Sequence, residues 1–135
     1  MAGPKKEKTM SNYITNLFSL DGKTALIAGG AGAIGRDIAR AFAKAGAFVI
    51  VHDLAQDRLD EVKTTFMAEG LMFNGMQADL STAEGCAGLV ARAKEVTGTI
   101  DILVNLQGTR KRKPITEVMQ AIHDGLNWLK LNTTE

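Results

Sequence analysis

The 135-residue sequence is poor in the side chains of metal and disulfide chemistry, with one cysteine, Cys86, and two histidines, His52 and His123. A single cysteine excludes an internal disulfide framework and a cysteine-ligated zinc site, and it suits a reducing compartment. Two histidines are too few for a histidine-rich metal centre, so no metal is expected. An excess of one charge is missing as well. Lys and Arg number 16 against 15 Asp and Glu, a net charge of +1, and no overall field marks a binder of nucleic acid or membrane. No apolar run approaches the roughly 20 residues of a bilayer span. Residues 1–9 are polar and Lys-rich, without the apolar stretch of a secretory signal, so a cytoplasmic location is the expectation. What remains is 45% hydrophobic and 23% charged, the composition of an ordinary globular chain. Its length allows one domain with a real core and not comfortably two.

The most informative stretch is Ala28-Gly29-Gly30-Ala31-Gly32-Ala33-Ile34-Gly35. It lies between an apolar strand-like run, Thr24-Ala25-Leu26-Ile27, and a helix-like run starting at Arg36, and Asp53 ends the next apolar run. This is the layout of a dinucleotide-binding βαβ unit. Glycines let the backbone turn sharply and approach a pyrophosphate, and the helix N-terminus presents free N–H groups to the anion. A glycine-rich turn alone is weak evidence; the strand before it, the helix after it and the acidic residue beyond it supply the context.

The rest of the chain repeats the strand-helix period. Strands are expected at residues 24–28, 48–53, 72–77 and 100–105, with helices at 33–45, 56–69 and 82–96. Three helices stop just before a glycine, Gly46, Gly70 or Gly98, which can adopt the left-handed closing conformation. Ser81 with Glu84 reads as a capping box for the third helix. The near-continuous apolar runs Phe48-Val49-Ile50-Val51 and Ile102-Leu103-Val104 fit parallel strands covered on both faces. The fold class is therefore α/β, a three-layer doubly wound parallel sheet with right-handed crossovers. Residues 1–16 read as a flexible leader and 17–135 as a single nucleotide-binding domain. A basic loop, Arg110-Lys111-Arg112-Lys113-Pro114, precedes a last helix at 116–131 with Val118, Ile122, Leu126 and Leu129 on one face. Cys86 is expected to be buried, Met67, Met72 and Met76 to fill core around the third strand, and Met119 and Trp128 to pack the last helix.

Gly29, Gly32, Ala33, Ile34 and Gly35 are the candidate pyrophosphate cradle. Asp53, with Leu54 beside it, lies where the adenosine ribose would sit. Its carboxylate accepts hydrogen bonds from ribose hydroxyls and repels a 2′-phosphate, favouring NAD over NADP. The plain alternative is a solvated loop aspartate next to Asp57. Asp79 and Leu80 follow the third strand, where a carboxylate can reach the adenine amino group. The alternative for Asp79 is a helix-start residue favoured by the dipole. His52 flanks the adenine or is simply a strand-end histidine.

These residues together resemble the short-chain dehydrogenase/reductase family over about residues 17–132. Phe18-Ser19-Leu20-Asp21-Gly22-Lys23-Thr24-Ala25-Leu26-Ile27 is similar to the family's entry into its first strand. Asp101-Ile102-Leu103-Val104-Asn105-Leu106-Gln107-Gly108 is similar to its fourth-strand motif, which usually ends Asn-Asn-Ala-Gly. Asn105 and Gly108 match as cofactor-binding positions; Leu106 and Gln107 depart. The family's loop is commonly Thr-Gly-x-x-x-Gly-x-Gly. Here Ala28 and Ala33 replace two of its residues, and Gly29, Gly32 and Gly35 also fit the spacing of sugar-nucleotide epimerases and dehydratases. Asn132 falls where the family often has an asparagine with a supporting catalytic role. A finer resemblance, through Asn16-Leu17-Phe18-Ser19-Leu20 and the basic loop before Pro114, is to gluconate 5-dehydrogenase and mannonate-oxidoreductase members. It implies an NAD-dependent oxidoreductase acting on a polyol, sugar or sugar acid, with the dinucleotide as partner.

The resemblance also implies a catalytic serine and a Tyr-x-x-x-Lys. The one tyrosine here, Tyr13, lies in the leader with no lysine four residues on. The expectation is an N-terminal half, truncated after the fourth strand and its helix, that cannot transfer hydride alone. The alternatives are a non-catalytic dinucleotide-binding module or partner subunit, or an epimerase or dehydratase fragment. The apolar fourth-strand edge and the last helix are the surfaces on which a homo-oligomer is expected.

Overall fold

The computed structural model describes residues 10–108, together with 116, 117, 119, 120 and 122–124. The elements run α1 (Met10–Phe18), β1 (Thr24–Ala28), α2 (Ala33–Lys44), β2 (Phe48–Asp53), α3 (Gln56–Ala68), β3 (Phe73–Gln77), α4 (Ala83–Thr97) and β4 (Ile102–Asn105). The four strands form one parallel sheet in the order β3-β2-β1-β4. Its register aligns the ends that matter: Ala28 pairs with His52 and with Asn105, and His52 pairs with Met76.

Alternate residues of each central strand enter opposite apolar layers, as the period of two requires. Ile27, Val49 and Val51 pack with Ala39 of α2 and with Leu59, Val62 and Phe66 of α3 on one face. Leu26 and Ile50 pack with Met76 and with Leu89 and Ala93 of α4 on the other. Continuous apolar sequence in β1 and β2 thus reflects burial from both sides. The apolar run of β4 does not. Among the described residues β4 pairs only with β1, and Leu103 is 66% exposed.

On the outer surface Arg40 of α2 grips Glu69 after α3 through Nε at 2.9 and 3.1 Å, and Lys44 lies 3.5 Å from the same carboxylate. The Arg40 hydrogen bond holds the Glu69 carboxyl below its usual range. Exposed ion pairs of this kind stabilise little, and here they fix how α2 lies on α3.

Several sequence readings are corrected. Residues 10–16, read as leader, lie in the α1 helix, whose Tyr13, Leu17 and Phe18 are exposed; residues 1–9 lie outside the described part. Strands β3 and β4 begin at Phe73 and Ile102, one and two residues later than expected. The α4 cap is Thr82, whose hydroxyl accepts the Gly85 N–H at 3.0 Å, so no Ser81–Glu84 box forms. Cys86 is exposed. Its thiol donates to the Leu80 carbonyl at 3.5 Å and does not enter the apolar layer. Met76 is core, but Met67 and Met72 are 67% and 74% exposed. These two line an open groove of about 500 Å³ beside β3, together with Leu59, Leu71 and Phe73. Met119 and Ile122 are exposed. The basic loop, Val118, Leu126, Trp128, Leu129 and Asn132 lie outside the described residues.

Candidate dinucleotide site

All four strands deliver their C-terminal ends to one rim of the sheet, the place where open α/β sheets bind ligands. The turn after β1 starts at Gly29, with φ of +76°. A side chain rarely adopts that conformation, and a Cβ at Gly29 would also lie 3.1 Å from Gln107 Nε2. Gly32 is the N-cap of α2 and brings no side-chain cap. The first backbone bond of the helix runs from Arg36 N–H to Gly32 O at 2.9 Å. Among the described residues the N–H groups of Ala33, Ile34 and Gly35 have no acceptor, as the first turn of a helix dictates. They form a bare, positively polarised helix start. A Cβ at Gly35 would meet Gly30 backbone at 2.5–2.7 Å, so the helix start can fold against the turn only with glycine there.

Asp53 closes β2 and is only 7% exposed. Its Oδ1 accepts the Ala55 N–H at 3.0 Å, and among the described residues Oδ2 has no donor. It borders a cleft of about 240 Å³ whose walls include Gly29, Gly32, Leu54, Arg58 and Gly108. No ion pair of Arg58 occurs among the described residues. A second cleft of about 350 Å³ lies between His52, Leu54, Ala78, Asp79, Leu80 and Gly108. The two clefts share Leu54, Gln107 and Gly108 as walls. One groove therefore runs from the bare helix start, past the Asp53 carboxylate, to an apolar recess edged by Asp79. These groups fit a dinucleotide: N–H donors for the pyrophosphate, a carboxylate for the ribose, and Leu54 and Leu80 for a flat base.

Asp79 Oδ1 accepts the Ser81 N–H at 2.9 Å, and the Ser81 hydroxyl and N–H hold its carboxyl below the usual range. Ser81→Ala is expected to raise the Asp79 pKa toward that range, measured by carboxyl ¹³C shifts in an acid titration. A depressed folded-state pKa adds stability above the unfolded value and loses it as pH falls through the folded one. The stability difference between parent and variant should therefore fade at the acid end; an unchanged Asp79 titration would contradict the assignment.

Of the expected positions, Gly29, Gly32, Asp53, Leu54, Asp79, Leu80 and Gly108 line these two clefts, and Ala33, Ile34 and Gly35 follow Gly32 in the first turn of α2. Asn105 stands at the rim with its Oδ1 accepting the Gln107 N–H at 3.0 Å, so it shapes the turn after β4. Sequence reading left His52 undecided and missed Gln107 and Arg58. His52 is 1% exposed and bonds segments on both sides. Only its place beside Asp53 hinted at this. Gln107 carried a signal, since it departs from the small residue of the resembled motif. Arg58 carried none.

A family profile described as short chain dehydrogenase matches residues 23–133. Over 117 residues the chain is 32% identical to gluconate 5-dehydrogenase of Gluconobacter oxydans, covering 87% of this chain and 46% of that protein. The crystal structure of 2-keto-3-deoxy-D-gluconate dehydrogenase from Streptococcus agalactiae is 36% identical with a TM-score of 0.72, over 80% of this chain and 41% of that one. A 7α-hydroxysteroid dehydrogenase complexed with NADH and 7-oxo glycochenodeoxycholic acid is 35% identical with a TM-score of 0.67, over 72% and 38%. The chain thus spans about half the length of the curated relatives it matches. With its parallel β3-β2-β1-β4 sheet, its glycine-rich turn into α2 and this match along most of its length, the chain belongs to the short-chain dehydrogenase family.

Proposed function

We propose that this chain is the NAD-binding half of a short-chain oxidoreductase that interconverts an alcohol and a ketone on a sugar or sugar acid. One observation carries the reading: Gly32, the N-cap after which α2 presents its unpartnered N–H groups, and Asp53, whose Oδ2 has no donor among the described residues, line the same cleft. A bound nicotinamide would supply or accept the hydride. The part of this chain is to bind and orient it: Ala33, Ile34 and Gly35 N–H on the pyrophosphate, Asp53 on the adenosine ribose, Leu54, Asp79 and Leu80 around the adenine, and Asn105 and Gly108 along the fourth-strand side. Asp53 favours NAD, because a 2′-phosphate would meet its charge. The sugar-acid assignment draws on the likeness to the two gluconate-type dehydrogenases. Asn132 takes the supporting catalytic role that the family resemblance gives it. Self-association through the exposed β4 edge at Leu103 belongs to the same proposal.

A non-catalytic binding module is the second reading, favoured by Tyr13 being the sole tyrosine and standing exposed on α1. The spacing of Gly29, Gly32 and Gly35 keeps an epimerase or dehydratase origin as a third, which binding of a nucleotide sugar would favour. Titration of the purified chain with NADH and with NADPH, followed by nucleotide fluorescence with light scattering for size, tests the first. Saturable binding with NADH preferred is the expected result. No binding by a folded chain would overturn it, and turnover of a sugar acid would separate oxidoreductase from binding module.

A further inference from the structure

We propose that His52 is a positioning residue of the cofactor groove: its imidazole ties the glycine-rich turn after β1 to the segment after β3, so that pyrophosphate cradle and adenine wall keep one fixed spacing. The role rests on the dinucleotide reading above. His52 is 1% exposed, and its strand lies between β1 and β3. The ring reaches both ways. Nδ1 lies 3.3 Å from the Gly29 nitrogen and Nε2 lies 3.0 Å from the Ala78 oxygen. The backbone repeats the tie, with Gly30 N–H donating to His52 O at 2.8 Å and Ala78 N–H to Asp53 O at 3.4 Å.

The chemistry of the two partners fixes the ring. An amide N–H can only donate, so Nδ1 must carry the lone pair; a carbonyl can only accept, so Nε2 must carry the hydrogen. A neutral imidazole in that one tautomer satisfies both. A leucine would fill the same space, but it would leave a donor and an acceptor without partners in a half-buried rim. The Gly29 N–H belongs to the residue whose positive φ launches the turn into α2. Its acceptor therefore sets where the free N–H groups of that helix point. Histidine is one of few side chains that can accept at one ring position and donate at the other across this span.

The test uses the full chain with three substitutions, each checked for folding by circular dichroism. His52→Asn places an amide oxygen where Nδ1 stood and keeps the Gly29 acceptor. His52→Gln reaches Ala78 but leaves Gly29 without one, and His52→Leu keeps neither contact. NADH affinity is expected to fall roughly three- to tenfold in His52→Asn and in His52→Gln, each of which keeps one half of the tie, and by more than roughly tenfold in His52→Leu, which keeps neither. Imidazole ¹⁵N spectra of the parent should show a bare Nδ1 and a protonated Nε2. A protonated Nδ1, or His52→Leu binding NADH as tightly as the parent, would overturn the role. If His52→Leu does not fold, parent-like affinity in both His52→Asn and His52→Gln would overturn it instead. A folded parent with the expected tautomer that fails to bind NADH would reject the dinucleotide reading, and the positioning role with it.

Discussion

Gly35→Ala is expected to abolish NADH binding and to destabilise the chain by about 1–3 kcal/mol, the range for forcing extra atoms into a packed site. The added Cβ would lie 2.5 Å from Gly30 Cα and 2.6 Å from Gly30 O. Both are backbone atoms, and no rotamer can move them aside. Alanine is the better helix former by about 1 kcal/mol, and Gly35 is in the first turn of α2, so propensity alone predicts a gain. The steric term wins because relief requires opening the turn that carries Gly29 and Gly30. That opening would also displace the N–H groups that define the anion site. Gly32→Ala is the matching control for stability alone: its Cβ would meet only Gly29 O, at 3.8 Å, an ordinary contact, but it lines the cofactor cleft itself. Denaturant unfolding of both variants and NADH titration of Gly35→Ala decide the matter. Equal midpoints and equal affinities for Gly35→Ala and the parent would remove the close approach from the account.

Asp53→Ala should raise the Kd for NADH by roughly 10- to 100-fold while leaving NADPH binding equal or improved. Hydrogen bonds to a charged group contribute about 1.5–3 kcal/mol, and each 1.4 kcal/mol is a factor of ten. The carboxylate is nearly buried, with Oδ1 already committed to Ala55 N–H and Oδ2 without a donor among the described residues. A ribose hydroxyl pair would therefore meet a preoriented acceptor. Removing it leaves Arg58 as the charged side chain among the walls of this cleft, and a guanidinium suits a phosphate. Because Asp53→Ala also deletes the Ala55 contact, Asp53→Asn serves as the companion: it keeps an acceptor for Ala55 and removes only the charge. It should hold the fold, lose NADH affinity and relax the bias against NADPH. Equal losses for both dinucleotides in both variants would show that Asp53 does not choose the cofactor.

The two predictions differ in how far the sequence leads to them. Asp53 was legible because it ends an apolar run at a set distance from a glycine-rich turn, a pattern written along the chain. The role of Gly35 as a helix-start glycine was legible for the same reason, but its contact partner was not. Gly30 and Gly35 are five residues apart, and only the fold of the turn brings their backbones together. The misplaced residues follow a similar rule. Met67 and Met72 are apolar and flank β3, which the sequence reads as core; the groove beside β3 leaves them exposed. Cys86 sits one turn before the buried Leu89, and a hydrogen bond to Leu80 O holds its thiol at the surface.

By itself the sequence determined the α/β class, the strand-helix alternation, the glycine-rich turn into a helix and the acidic residue that ends the second strand. Those features depend on periodicity, on glycine conformation and on spacing within about 30 residues, all of them local along the chain. Tertiary structure alone decided what His52 holds, that Gln107 lies against Gly29, and that Arg58 shares a cleft with Asp53. The partners there include pairs 23, 26 and 78 positions apart. Their distances are set by sheet register and by the pitch of packed helices, which no single stretch of chain encodes.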